Sequence, residues 1–151
     1  MTVCYVIVNR SSSIVRGKLA PLMTEVQKSS ANIQDLSYDF ACRIVRLFQY
    51  LTEDSKYKEY IISKQIIRSG TSIGANVREA QHGQSDADFY AKMSIALKEA
   101  DETQYWQSLL HDNGYISDFQ FASLDQDIQR ILRLLKSITK STKEKIDREK
   151  K

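Results

Sequence analysis

The sequence predicts an all-α protein built as an antiparallel up-down-up-down four-helix bundle, and three observations lead there. Proline occurs once, at Pro21, so no later position forbids a long helix. Apolar residues recur three and four apart along four separate stretches, which is the helical period. The connections between those stretches are only a few residues long, and short connections make consecutive helices antiparallel neighbours.

The first stripe is Leu36, Phe40, Ile44, Leu47, Phe48 and Leu51, interrupted at Thr52-Glu-Asp-Ser. Ile62, Ile66, Ser69, Ile73, Val77 and Ala80 form the second, with a glycine stop expected near His82-Gly83. Ser85 or Asp86 can cap the third helix, because a short side-chain oxygen accepts from free N–H groups of the first turn. Its stripe runs through Phe89, Met93, Ala96, Leu97, Ala100, Trp106, Leu109 and Leu110 and closes at Asn113-Gly114. The fourth helix starts after Ser117 or Asp118 and buries Phe121, Leu124, Ile128, Ile131, Leu132, Leu135 and Ile138. Beyond Ser141 the stripe dissolves into lysines, acids and the isolated Ile146.

This divides the chain into a weakly ordered extension over residues 1–30, a bundle over 31–141 and a basic tail over 142–151. Residues 1–22 read either as such an extension or as the product of a misassigned start codon, with Met23 the alternative start. A chain of 151 residues buries roughly 70% of its unfolded surface, enough to hold a core without disulfides or metal. Cys4 and Cys42 lack the C-x-x-C spacing, which points to a reducing cytoplasm and away from a structural zinc site. The longest apolar run, Val3–Val8, is far below the roughly 20 residues of a membrane span and lacks the flanks of a secretory signal.

The formal charge of +3 conceals an uneven distribution. Residues 1–22 carry Arg10, Arg16 and Lys18 with no acid, giving +3. Residues 136–151 carry seven basic residues against Glu144, Asp147 and Glu149, giving +4, and the stretch between sums to −4. The C-terminal run, with Lys136, Lys140, Lys143, Lys145 and Arg148, is a candidate nucleic-acid-binding arm. Each cation that meets a phosphate releases counterions and makes binding fall with salt. No aromatic residue interleaves with the tail, so such contacts are to backbone and carry little sequence information.

Arg68-Ser-Gly-Thr-Ser-Ile-Gly-Ala-Asn-Val-Arg-Glu-Ala80 places Gly70 and Gly74 inside a helical pattern. Each costs about 1 kcal/mol relative to alanine, so something has to repay it. Four apart, the two glycines share a helix face, and the expected partner is a neighbouring backbone or a large ring such as Trp106. A phosphate-holding loop at Gly70-Thr71-Ser72 is the rival, but the P-loop lysine spacing and a preceding strand are missing.

Asn76 and Glu79 border the second stripe, while Glu99 and Glu102 border the third. If those faces meet, the carboxylates need donors or charge, and Arg68 is placed to help form a polar network that fixes register. Glu79-Ala-Gln-His82 has the Glu-x-x-His spacing of di-iron bundles, yet its required second copy is absent, since Ser108 stands three before His111. Neither a cysteine nor a serine has a recognisable nucleophile setting. The expectation is therefore no catalytic residues, no metal, no cofactor and no enzyme activity.

Three blocks carry a resemblance: Arg68 to Ala80 as written above, Asp88-Phe-x-x-Lys-Met-Ser-Ile-Ala-Leu-Lys-Glu-Ala-x-Glu102, and Tyr105-Trp106 with Gly114-Tyr-Ile116. From about Asp35 to Ile138 the chain resembles the bacterial four-helix-bundle proteins encoded within 23S ribosomal RNA intervening sequences. The resemblance implies a homo-oligomer, typically a ring-shaped pentamer. It also implies kinship of fold with the accessory variability proteins of diversity-generating retroelements, basic bundles that bind nucleic acid and a reverse transcriptase. One departure is visible, since residues 23–135 sum to −4 here, so any affinity for nucleic acid rests on the termini. The expected function is a non-enzymatic oligomeric accessory factor associated with RNA or nucleoprotein. The alternative is a protein-interaction scaffold without nucleic-acid binding.

Overall fold

A computed structural model describes residues 25–54 and 56–151. Four helices make up the fold: α1 (Glu25–Gln49), α2 (Ile62–Ala80), α3 (Asp86–Asp112) and α4 (Asp118–Glu149), and no strand occurs among the described residues. The expectations placed on residues 1–22, including a start at Met23, lie outside the described residues. α1 begins at Glu25, within the segment assigned to the extension.

Consecutive helices pack side by side, and α1 also touches α4. Contacts run in opposite order along each consecutive pair. On α1 and α2, Ser37 lies by Gly74 and Ile44 by Gly70. On α2 and α3, Arg68 meets Glu102 while Glu79 meets Lys92. On α3 and α4, His111 meets Asp118 while Asp86 meets Lys145. Each pair is therefore antiparallel, as short connections require.

Every apolar stripe turns inward. Phe40, Ile44, Ile66, Ile73, Met93, Leu110, Ile128, Ile131 and Leu135 are fully enclosed, with Leu36, Phe89, Leu97, Trp106 and Phe121 packed around them. Burying one such large side chain is worth about 1.5–3 kcal/mol relative to exposure. The core also takes in Ser69, which belongs to the second stripe, and Thr103 and Gln107, polar residues that the third stripe skips.

The helix ends show which local signals act. Ser85 Oγ accepts from Asp88 N–H at 3.2 Å, and Ser117 forms a reciprocal capping box with Gln120. α2 has no side-chain cap at its own N-cap residue. Instead the nearly buried Glu59 carboxylate accepts from the N–H groups of Ile61, Ile62 and Ser63 at 2.8, 2.8 and 2.6 Å. Asn113-Gly114 closes α3 in a Schellman arrangement, with Gly114 N–H on His111 C=O and Tyr115 N–H on Leu110 C=O. Gly114 has φ 75°, a conformation that glycine alone adopts freely. Gly83 has no positive φ, so it is not the left-handed stop expected there. Its hydrogen leaves room for a tight approach, since a Cβ would stand 3.2 Å from the Phe89 nitrogen and the Ala80 oxygen.

One boundary differs from the sequence reading. The backbone does not break at Thr52 but widens into a π turn over Tyr50–Asp54. There Thr52 is buried with its hydroxyl on the Phe48 carbonyl at 2.8 Å. α4 runs without a break past Ser141 to Glu149, and the basic run continues the helix. Thr139 and Thr142 replace aliphatic residues on its buried face, each donating its hydroxyl to the carbonyl four residues back at 2.8 Å. A back-bonded threonine satisfies its own polar atom, so it can face the core without an apolar signature.

Candidate functional site

The glycine face of α2 is a close contact with α1. A Cβ at Gly70 would meet Ile44 Cγ1 and Cγ2 at 2.9 Å, and one at Gly74 would meet the Ser37 carbonyl oxygen at 3.4 Å. The expected close approach is there, but its partner is α1 and not the Trp106 ring. Trp106 sits on α3, partly buried against the core, with Nε1 donating to Glu102 Oε1 at 3.0 Å. Gly70, Thr71 and Ser72 are mid-helix, so their N–H groups are used within α2 and hold no phosphate.

The polar residues between α2 and α3 form two clusters rather than one. Arg68 Nη2 reaches Glu102 Oε1 at 3.6 Å, and Glu102 in turn receives Trp106. Burial pushes the Glu99 carboxyl up, the negative charge of Glu102 adds to this, and Arg68 opposes it. Glu99 Oε2 is shielded and has no hydrogen-bond partner. Glu79 stands apart, paired with Lys92 Nζ at 2.6 Å, a contact that holds the ammonium pKa above its ordinary value. Asn76 bonds its own helix, donating to the Ser72 carbonyl at 2.9 Å. Glu99 and Glu102 thus come together beside Arg68, while Glu79 and Asn76 do not join them. The direct α2–α3 polar tie in the core is between Ser69 and Thr103, whose hydroxyl oxygens lie 2.9 Å apart.

His82 is exposed. Among the described residues no group of three or more His, Cys, Asp or Glu side chains is arranged to hold a metal ion. No described helix is long and apolar enough to cross a membrane.

α4 sorts the five candidate phosphate-binding residues into three settings. Lys136, Lys140 and Lys143 are all exposed and follow one another at spacings of four and three, so they share one face. Arg133, one turn earlier, is exposed and extends that stripe, while the acid Asp147 follows one turn after Lys143. Lys145 lies about 200° around the helix from Lys143. Its Nζ is 2.5 Å from Asp86 Oδ2, at the start of α3, and this hydrogen bond holds its pKa above the ordinary value. Arg148 folds back, with Nε donating to the Glu144 carbonyl at 3.2 Å. The stripe is therefore Arg133, Lys136, Lys140 and Lys143, while Lys145 pins the end of α4 to α3.

Several interactions carry no sequence signal. Arg43 of α1 donates to the Ser123 carbonyl at 3.1 Å, to Ser123 Oγ at 2.7 Å and to the Asp127 carboxylate, closing α1 onto α4. His111 lies between Asp118 Oδ1 at 2.8 Å and Asp112 Oδ1 at 3.2 Å, stacked on Phe121 with centroids 4.3 Å apart. The exposed Tyr57, Tyr60, Ile61 and Phe119 also went unremarked in the stripes, because they belong to the connections and to the outer face at the start of α4.

Comparison with known proteins finds a matching family and similar solved structures. The family model described as 23S rRNA-intervening sequence protein matches residues 29–137. A crystal structure of a protein of unknown function from the S23 ribosomal protein family of Bacteroides thetaiotaomicron is similar, with 50% sequence identity and a TM-score of 0.72. That match covers 74% of this chain and 98% of the other. No curated protein matches the chain.

Proposed function

This chain belongs to the 23S rRNA-intervening sequence protein family, and on that premise we propose that it is a non-enzymatic, self-associating accessory factor of RNA or nucleoprotein. The observation that carries the RNA reading is the exposed stripe of Arg133, Lys136, Lys140 and Lys143 on α4. Like charges one turn apart repel each other in the absence of a partner, and a polyphosphate backbone relieves that repulsion. Lys145 and Arg148, engaged with Asp86 and Glu144, contribute less than the sequence alone suggested. The contacts are backbone-directed, so shape and charge of the RNA govern binding more than its sequence.

Self-association, as a pentamer by family resemblance, would repeat the stripe around one particle. Linked stripes bind through effective concentration, so a modest site gains avidity without new contacts. The family's name supports an RNA setting, and the location of such a factor is the cytoplasm.

Binding of structured RNA to the full chain and to a K136E/K140E/K143E variant, at two salt concentrations, tests the reading. The parent should bind with a salt slope near that of three to four phosphate contacts, about 0.7–0.9 per contact. The variant, altered only at exposed positions, should keep its fold and lose most of that affinity. Equal binding by both, or none by either, overturns the RNA reading. Light scattering tests self-association separately, and a mass near 17.4 kDa overturns it.

A further inference from the structure

Eight large apolar side chains are exposed among the described residues, and four of them lie in two short segments: Tyr57 at 48%, Tyr60 at 51%, Ile61 at 78% and Phe119 at 71%. The two segments are at the same end of the bundle, because the Tyr57 and Tyr115 rings meet edge to face with centroids 5.2 Å apart. Apolar residues scattered singly over a surface need no explanation, whereas several gathered at one end of a bundle make that end a candidate interaction site.

This end is held in shape before any partner arrives. Glu59 ties down the start of α2 through three backbone N–H groups, and the Ser117 capping box fixes the start of α4. Tyr60 is anchored by its hydroxyl, which donates to the Thr52 carbonyl at 3.1 Å. A surface ordered in advance loses less entropy on binding.

Charge selects the occupant. Residues 50–61 and 111–120 contain five acids against Lys56 and Lys58, a formal −3. The lysines are drawn onto their own connection: Lys56 Nζ lies 4.7 Å over the Tyr57 ring, and Lys58 Nζ donates to the Glu53 carbonyl. Asp112 and Asp118, the two carboxylates that flank His111, stay largely open to solvent. A negative end repels phosphate, and it repels the same end of a second copy.

We propose that this end of the bundle is a docking surface for a segment of a partner protein that presents apolar side chains flanked by lysine or arginine. The proposal goes beyond the RNA reading and does not depend on it. The lysine stripe runs toward the opposite end of α4, where Lys145 meets Asp86 at the start of α3. One copy can therefore hold RNA and a protein partner at once.

Peptide-display selection on the full chain, followed by affinity measurements on Ile61→Asp and Phe119→Asp, tests this. Both positions are exposed, thermal unfolding checks that each variant folds, and Ile61→Ser serves as a neutral third variant. The expected peptides combine aromatic or aliphatic residues with lysine or arginine. They should bind the variants about tenfold or more weakly, as when a central apolar anchor is lost. Acidic peptides, no peptides, or peptides that bind parent and variants alike overturn the proposal. A lower mass by light scattering in the variants makes a second copy the occupant, and loss of RNA binding makes it nucleic acid; either result also overturns it.

Discussion

Gly70 and Ile44 are in contact at a distance that admits no side chain on the glycine: a Cβ there would stand 2.9 Å from two carbons of the isoleucine. Ile44 is fully buried and branched at Cβ, so it cannot swing aside without disturbing the core. The spacing of α1 and α2 is set by this absence of a side chain.

Gly70→Ala should therefore destabilise the protein by about 1–3 kcal/mol through overpacking, against a gain of about 1 kcal/mol in helix propensity. Gly74→Ala should be neutral or stabilising by up to about 1 kcal/mol, because its Cβ would meet the Ser37 carbonyl at an ordinary 3.4 Å. Gly74→Leu should behave like Gly70→Ala. Thermal unfolding of the three variants checks the order, and equal stability of Gly70→Ala and Gly74→Ala would contradict it.

Glu59→Gln should cost about 1–2 kcal/mol, the usual range for loss of a helix cap. Burial alone pushes this carboxyl up, but the N–H groups of Ile62, Ser63 and Ile61 outweigh burial and hold it below its ordinary 4.5. A depressed carboxylate stabilises above its unfolded value, and the contribution disappears as pH falls through the lower folded value. Parent and variant should thus differ most above about pH 5 and converge in acid, as unfolding in denaturant at several pH values will reveal.

His111 faces a carboxylate with each ring nitrogen, and only the imidazolium can donate to both. Its pKa is raised above 6.5, first by the hydrogen bond to Asp118 and then by Asp112, with desolvation opposing. The clasp between α3 and α4 is fully made below pH 6.5 and weakens as pH rises through the folded value. An NMR titration should place the His111 midpoint above 6.5 in the parent and nearer 6.5 in Asp118→Asn. A parent midpoint at or below the free value would show that the clasp does not form.

Lys145→Ala should fray the end of α4 without lowering RNA affinity as much as Lys140→Ala does. Lys145 is paired with Asp86, whereas Lys140 is exposed on the stripe. Amide exchange over residues 142–149 reads the fraying, and an RNA titration reads the affinity. Equal losses of affinity for the two variants would return Lys145 to the binding face.

The sequence by itself determined the four helices, the stop at Gly114 and the family, and it narrowed the caps to Ser85 or Asp86 and to Ser117 or Asp118. Each of these is written within one helix: an apolar period, a hydroxyl one step before it, a glycine one step after it. Tertiary structure decided what lies between helices. It put Ile44 and Ser37, not Trp106, against the glycine face, and it separated Glu79 from Glu99 and Glu102. It turned Lys145 away from the other lysines toward Asp86 and buried the two back-bonded threonines, Thr139 and Thr142. The physical reason is that periodicity fixes which face of a helix is buried. The rotation and register that choose its partner come from packing all four helices together.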